Sequence, residues 1–493
     1  MSKIKRKPTV LQALFPILAM LIILGVGIAF LDLPAEPLIV LAAVVSGVQA
    51  IFLGYSYDDI MNEIANKIAK VWGALLILII VGFMIGSWML GGTISMLIYY
   101  GLKLISPKYL ALTAFILTAI VSVLTGTSWG SAGTIGVAFM GVAIGMDANL
   151  ALVAGAVVSG AYFGDKLSPL SDTTNLSSAV CGVDLYEHVY NQMWTTGSAA
   201  VLSIIFYFIM GHVGAGKNVI VPETINILTG TLDQMFNWNI LLLVPLVIVL
   251  AGSITKKPTI PVMLVASAIA LINAAVFQGA DLKSIVDVTL NGFNVEMIGM
   301  TKDEVAPELI RLLHRGGMMS MMNTLLIAVC AISFAGTMSV TGALEVVISK
   351  MLEKINSTFK LVASTIVTCL IITGVTSNGQ VSILMPGEAF KDAYIKMGLH
   401  PKVLSRTLED SVTCTECLIP WTAAGAYMAS TLGVDTLHYL PYAILNYSGM
   451  IFALVWALTG IGIVKKKKKK KKKQPCVRPP PPPPILLFFP PLF

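Results

Sequence analysis

The sequence predicts an all-α polytopic membrane protein. Of its 493 residues, 56% are apolar and only 12% charged, about half the charged share of a soluble domain. The mean hydropathy is +0.83. Apolar runs of roughly twenty residues, the length that crosses hydrocarbon, recur from end to end. Inside lipid the backbone must satisfy its own polar groups, which leaves helices or a closed barrel. A barrel would show short segments of alternating polarity, and these runs do not alternate.

The elements follow in chain order. Lys3, Lys5, Arg6 and Lys7 precede an apolar run from 10 to 31, which reads as a first span held by cytoplasmic lysines rather than as a cleavable leader. An acidic, proline-containing turn at 32–37 leads to a span at 38–54, and a polar amphipathic stretch at 55–70 reads as interfacial. Spans are expected at 71–90, 109–124, 195–210, 239–250, 259–277 and 318–336, with a shorter apolar segment at 93–105. Gly82, Gly86, Gly91 and Gly92 read first as packing residues. The stretch 181–188 reads as a surface connection, with His188 an interface residue, and 211–236 as a loop carrying a short helix. Residues 278–316 form a polar connector, 341–360 is amphipathic, and 361–372 opens a second organised region.

The chain is organised around 121–175, where long apolar runs are interrupted twice. The first break is Gly126-Thr127-Ser128-Trp129-Gly130-Ser131. The second runs from Gly164 to Pro169 and on through Ser171-Asp172-Thr173-Thr174-Asn175. Glycine leaves helical geometry cheaply, and proline removes a donor. The plain reading is a surface turn, rich in Gly, Ser and Asp as turns are. The alternative is a helix broken inside the membrane, whose freed backbone groups bind an ion. Asp165 and Asp172 would share a face of a continuous helix, but Pro169 argues against continuity.

An echo in the second half favours the broken helix. Thr373-Gly374-Val375-Thr376-Ser377-Asn378-Gly379-Gln380 resembles the first break, Pro386 interrupts the run that follows, and Glu409–Thr422 forms a further polar break. Breaks lie about forty residues apart in each half, the pattern that marks a transporter's central site. Asp165 and Glu416 are the carboxylates least easily read as surface charges, and an ionisable group in hydrocarbon is a functional candidate.

Several classes are disfavoured. Lys465–Lys473 and Arg478 supply ten positive charges; without them 23 basic residues face 26 acidic ones, so no basic surface for nucleic acid remains. Cys414 and Cys417 form a CxxC, but without a second pair or a nearby histidine they read as small helix residues rather than a redox or metal pair. The five histidines form no catalytic or metal motif, and no phosphate-binding loop is present. Arg315 reads as an interfacial anchor, with attraction of an anionic substrate as the sharper alternative. An ion channel is the rival of another class; a membrane enzyme lacks a nucleophile or metal constellation.

The strings GTSWGSAGTIGVAF, SGAYFGDKLSPLSDTTNLSS, LIRLLHRGGMMSMMNT, GVTSNGQVSILMPGEAF and ECLIPWTAAGAYM resemble the NhaC-type sodium/proton antiporter family, and most of all its malate/lactate antiporters. The resemblance covers about 8–464. It implies an inverted-repeat secondary transporter with discontinuous helices and about eleven spans, in the bacterial cytoplasmic membrane with its N-terminus inside. The expected divisions are an N-terminus at 1–9, a first transmembrane half at 10–277, the connector at 278–316, a second half at 317–464 and a low-complexity tail at 465–493. The implied cation and proton site comprises Thr127, Ser128, Asp165, Ser168, Asp172, Thr173, Thr376, Asn378 and Glu416. Asp165 and Asp172 are the leading carriers, and hydroxyls and Asn378 supply neutral oxygens. The implied cargo is sodium and protons, with malate and lactate as the alternative; no cofactor or resident metal is expected, and a homodimer is a further expectation. The tail, nine lysines and then six prolines, departs from the family pattern and reads as non-native sequence before it reads as a lipid-binding segment.

Overall fold

The computed structural model describes residues 5–29, 31, 33–214, 222–255, 257–301, 305, 310, 313–353 and 355–465. The tail beyond 465 lies outside these residues, as do Asp303, Glu304 and Glu308 of the connector. The chain is an all-helical polytopic membrane protein with discontinuous helices. Among the described residues nine helices are long and apolar enough to cross a membrane, and up to twelve spans result if each of three bent pairs is one span.

The architecture is a repeat. The first half runs through Leu110–Thr125, then, past the break at Gly126 and Thr127, the helix from Ser128 to Gly145 with a π-helical turn at Ala132–Gly136, Leu150–Leu167, Asp172–Cys181 and Leu185–Gly214. The second runs through Thr358–Thr376, Gly379–Lys396, Pro401–Ser411, Ala423–Leu432 and Ile444–Thr459. Gly126 and Ser377, Asp165 and Glu416, Pro169 and Pro420, Ser171 and Thr422, and Gly182 and Gly433 are each 251 positions apart. The halves also exchange contacts. Gly379–Lys396 packs on Asp172–Cys181 of the first half, while Ala423–Leu432 packs on Ala132–Gly136 of the first half's broken helix. Such reciprocity is what a two-fold relation produces.

Close approach inside each half rests on small residues. A Cβ on Gly160 would collide with the Phe115 carbonyl, and one on Gly164 with the Ser122–Val123 backbone, so these glycines let Leu150–Leu167 lie against Leu110–Thr125. Gly164 was expected to begin the second break. It instead sits within the helix, and the interruption is confined to residues 168–171. Pro386 likewise lies inside Gly379–Lys396 without ending it. The stretch 181–188 does run along the surface, with Gly182, Asp184, Tyr186 and Glu187 exposed, but His188, expected at the interface, is fully buried, its Nδ1 2.8 Å from Ser405 Oγ and its Nε2 2.7 Å from Gln192 Nε2. The reason is length, because Leu185–Gly214 is one helix and its first turns lie against Pro401–Ser411.

The connector carries a helix at Leu282–Asn291, and Gly317, just past its end, donates its N–H to the Gly82 carbonyl at 2.7 Å. Gly82 and Gly86 leave the room that this crossing chain needs, in keeping with their reading as packing residues. At the start of Tyr57–Leu90, Ser56 and Asp59 form a capping box. Lys5, then the Ser56 donors, draw the Asp59 carboxyl down to about 2.

Candidate ion-binding site

Two breaks of one design face a common cavity. In the first, Gly126 ends Leu110–Thr125 in the left-handed region at φ 70°, and extended Thr127 caps the next helix, its Oγ1 accepting from Gly130 N–H at 3.3 Å. Ser131 Oγ donates to the Thr127 carbonyl at 2.8 Å and lies 3.2 Å from Thr125 Oγ1. In the second, Ser377 takes φ 52°, and extended Asn378 accepts from Val381 N–H at 2.8 Å. Ser382 Oγ donates to the Asn378 carbonyl at 2.8 Å and lies 3.0 Å from Thr376 Oγ1. The same hydrogen-bond pattern is built twice from different residues.

A carboxylate meets the start of each broken helix. Asp165, in the last turn of Leu150–Leu167, is 8% exposed. Its Oδ2 accepts from Ser128 Oγ at 2.7 Å and from Ser128 N–H at 3.3 Å. Glu416 follows Pro401–Ser411, and its carboxylate occupies the space beside Gly379, so a side chain there would have to displace it. Ser128 and Gly379 occupy equivalent places in the two halves. The positive end of a helix and its unpaired N–H groups favour a negative group at such a position.

The cavity between the breaks has a volume of about 750 Å³ and is lined by Thr127, Ser128, Asp165, Asp172, Thr173, Asn378 and Glu416 among others. Lys70 and Lys257 also contribute to its wall. Ser168 and Thr376 do not line it. Ser168 Oγ donates to the Val123 carbonyl at 2.8 Å, and Thr376 serves the Ser382 contact, so both hold the breaks together. Asp172 is exposed at the first turn of its helix, separated from Asp165 by the interruption at 168–171. Arg315 lies beside Gly433 and does not line the cavity.

Chemically the cavity is an oxygen-rich space that both carboxylates line, Asp165 buried and Glu416 half-buried. Two like charges on one cavity favour a cation between them. Hard cations take oxygen ligands, and carboxylates, hydroxyls and an amide carbonyl are present. A second charged group was not singled out from the sequence: Lys166, Glu409 and Asp410 are fully buried just behind the cavity. Lys166 and Asp410 form an ion pair between the halves. The available signal was a lysine next to Asp165 and two adjacent acids within a transmembrane half.

Interrupted helices of two repeats, meeting at one cavity with carboxylates beside them, define a secondary-transporter architecture. The model of the Na+/H+ antiporter family matches residues 160–461. A Haemophilus influenzae protein described as an uncharacterized Na(+)/H(+) antiporter is 58% identical over 460 residues, covering 93% of this chain and 98% of its own length. The Malate-2H(+)/Na(+)-lactate antiporter of Bacillus subtilis is 36% identical, covering 91% of this chain and 95% of its own length. The Na(+)/H(+) antiporter NhaC of Alkalihalophilus pseudofirmus is 35% identical, covering 90% of this chain and 96% of its own length. The chain belongs to the Na+/H+ antiporter family.

Proposed function

We propose that this protein is a secondary transporter of the bacterial cytoplasmic membrane that exchanges sodium for protons, not an enzyme, with its N-terminus on the cytoplasmic side. One observation carries the reading: Asp165 and Glu416, equivalent residues of the two halves, face one cavity at the starts of two broken helices. Sodium takes the oxygens that line this space, and uptake of a proton by a buried carboxyl group releases it. The inverted relation of the halves supplies alternating access, each half opening the cavity to one side in turn. Asp165, Ser128, Thr127, Asp172, Thr173, Asn378 and Glu416 are the residues assigned to the cation, while Ser168 and Thr376 brace the breaks. Arg315 is assigned the role of an interfacial anchor.

A second reading is malate/lactate exchange coupled to the same ions. It is supported by the similarity to the Bacillus subtilis antiporter. Purified protein in sealed vesicles separates the two. A sodium gradient alone should move internal pH; flux that requires malate on one side and lactate on the other selects the second reading. Flux that neither saturates nor depends on a counter-ion would overturn both in favour of a channel. Asp165→Asn should slow sodium-driven proton flux by at least about a hundredfold, the scale of losing one partner of a buried charged interaction. Normal flux in that variant would remove Asp165 from the site.

A further inference from the structure

Behind the cavity lies a group of buried polar residues that the cation site does not use. Glu409 is fully buried on Pro401–Ser411 and does not line the cavity. Its Oε1 accepts from Ser177 Oγ at 2.7 Å, the buried Thr413 hydroxyl is a second neighbour of the carboxylate, and Oε2 has no partner at hydrogen-bond geometry among the described residues. Asp410 Oδ1 pairs with Lys166 Nζ, and Asp410 Oδ2 has no hydrogen-bond partner among the described residues. Gly449 closes the group: a Cβ there would lie 3.2 Å from Asp410 Oδ1. Buried carboxylate oxygens without donors are costly and call for an explanation.

We propose that Glu409 holds the transported proton at a centre distinct from the cation cavity, and that the helix Asp172–Cys181 couples the two. Lys166 is committed to Asp410 by contact, which leaves Glu409 with neutral hydroxyl neighbours, Ser177 and Thr413, and no cation in contact with it. A carboxyl group so placed is poised to take up a proton and to give it back. The charged and titratable groups facing it are Lys166 and Asp165 from Leu150–Leu167 and Cys414 and Glu416 from the turns that follow its helix; on its own helix Asp410 pairs with Lys166 and Arg406 faces Asp410 and Tyr394, and His188 lies across Lys166. Arg406 gives Nη1 to the Gly462 carbonyl at 3.1 Å.

The coupling element is visible in its hydrogen bonds. Thr174 Oγ1 donates to the carbonyls of Asp165 and Lys166 at 3.2 and 3.1 Å. Ser177, one turn on and on the same face, donates to Glu409. The first turn of that helix lines the cavity through Asp172 and Thr173. A shift of this short helix therefore alters both centres together. The proton moves from water onto Glu409 as sodium leaves, and returns to water as sodium binds; no covalent bond other than O–H forms or breaks.

This inference rests on the sodium/proton reading, and the two fail in different experiments. Wild-type protein without sodium-dependent proton flux sinks that reading. Given the flux, sodium binding is followed by sodium-induced thermal stabilisation between pH 6 and 9. Wild-type affinity should rise with pH by about tenfold or more, within the usual range of coupling between sites. Glu409→Gln should bind sodium with one affinity at every pH, near the wild-type value at low pH, and should lose proton flux. Retention of the wild-type pH dependence overturns the proposal. So does loss of all sodium binding in a monodisperse Glu409→Gln protein, because Glu409 would then belong to the cation site. If Glu409→Gln does not fold, Ser177→Ala serves: it should move the midpoint of the pH dependence and keep the limiting affinities. An unmoved midpoint overturns the proposal.

Discussion

The hydroxyl of Ser128 shows how one atom can serve both states of the site. With the cavity as it stands, it donates to Asp165 Oδ2 at 2.7 Å, a charge-assisted bond of the stronger kind. When a cation approaches Asp165, the same oxygen can turn a lone pair toward it. Glu416 has no such partner in the equivalent place, since Gly379 lacks a side chain. The two carboxylates are therefore equivalent by position and unequal by support. Ser128→Ala should weaken sodium binding about tenfold, the worth of one hydrogen bond to a charged group, while Gly379→Ala should be more harmful because its Cβ strikes the Glu416 carboxylate. Sodium titrations of both variants check the order; an unaffected Gly379→Ala would mean that Glu416 is free to move away. Asp165 and Glu416 were legible in the sequence because acids amid apolar runs are rare. Glu409 and Asp410 were legible only as part of a polar break. The structure places them in a helix whose polar side chains are buried, an arrangement no local pattern announces.

At the level of elements, the breaks depend on two residues in the left-handed region, and the two differ in chemistry. Gly126 has no side chain, and a Cβ would meet Leu170 Cβ at 2.6 Å and Ser171 N at 3.0 Å, which is how the 168–171 interruption comes to rest on the first break. Ser377 bears the strain of φ 52° but uses its Oγ to accept from Ala423 N–H at 2.9 Å, tying the second break to the start of Ala423–Leu432. Relief of the strain is worth about 1–2 kcal/mol, and the hydrogen bond about 0.5–1.5 kcal/mol. Ser377→Gly should thus be close to neutral in thermal stability. Ser377→Ala keeps the strain and loses the bond, and should be destabilised by about 1 kcal/mol. Equal melting temperatures for the two variants would contradict this division. The small-residue strings made both breaks readable in sequence. Their ends were less so: Gly164 and Pro386 look like breakers, yet one is a contact residue between neighbouring helices and the other is carried within a helix.

For the whole molecule, the question is what holds two similar halves in a defined relation while still letting them move. Reciprocal packing of each half's broken helix on the other half's short helix gives the relation, and the stacking of Trp129 on Tyr427, with ring centroids 4.4 Å apart, reinforces it beside the cavity. The sequence disclosed the duplication only as a weak echo, because few of the paired residues are identical; the constant interval of 251 positions becomes plain once left-handed residues, caps and prolines are paired by their geometry. The Lys166–Asp410 pair adds a link of another kind, joining Leu150–Leu167 to Pro401–Ser411 with both side chains at most 1% exposed. A buried pair is not strongly stabilising compared with an apolar pair, but losing one member strands a charge at a cost of about 3–5 kcal/mol. Lys166→Met should therefore lower the thermal stability of the detergent-purified protein sharply, because Asp410 and Glu409 are left without their nearest cation. Adding Asp410→Asn in the same chain should restore much of the loss, since the stranded charge is gone. If the double variant is as unstable as the sum of the single ones, the pair does not act as a unit, and the halves are joined by packing alone.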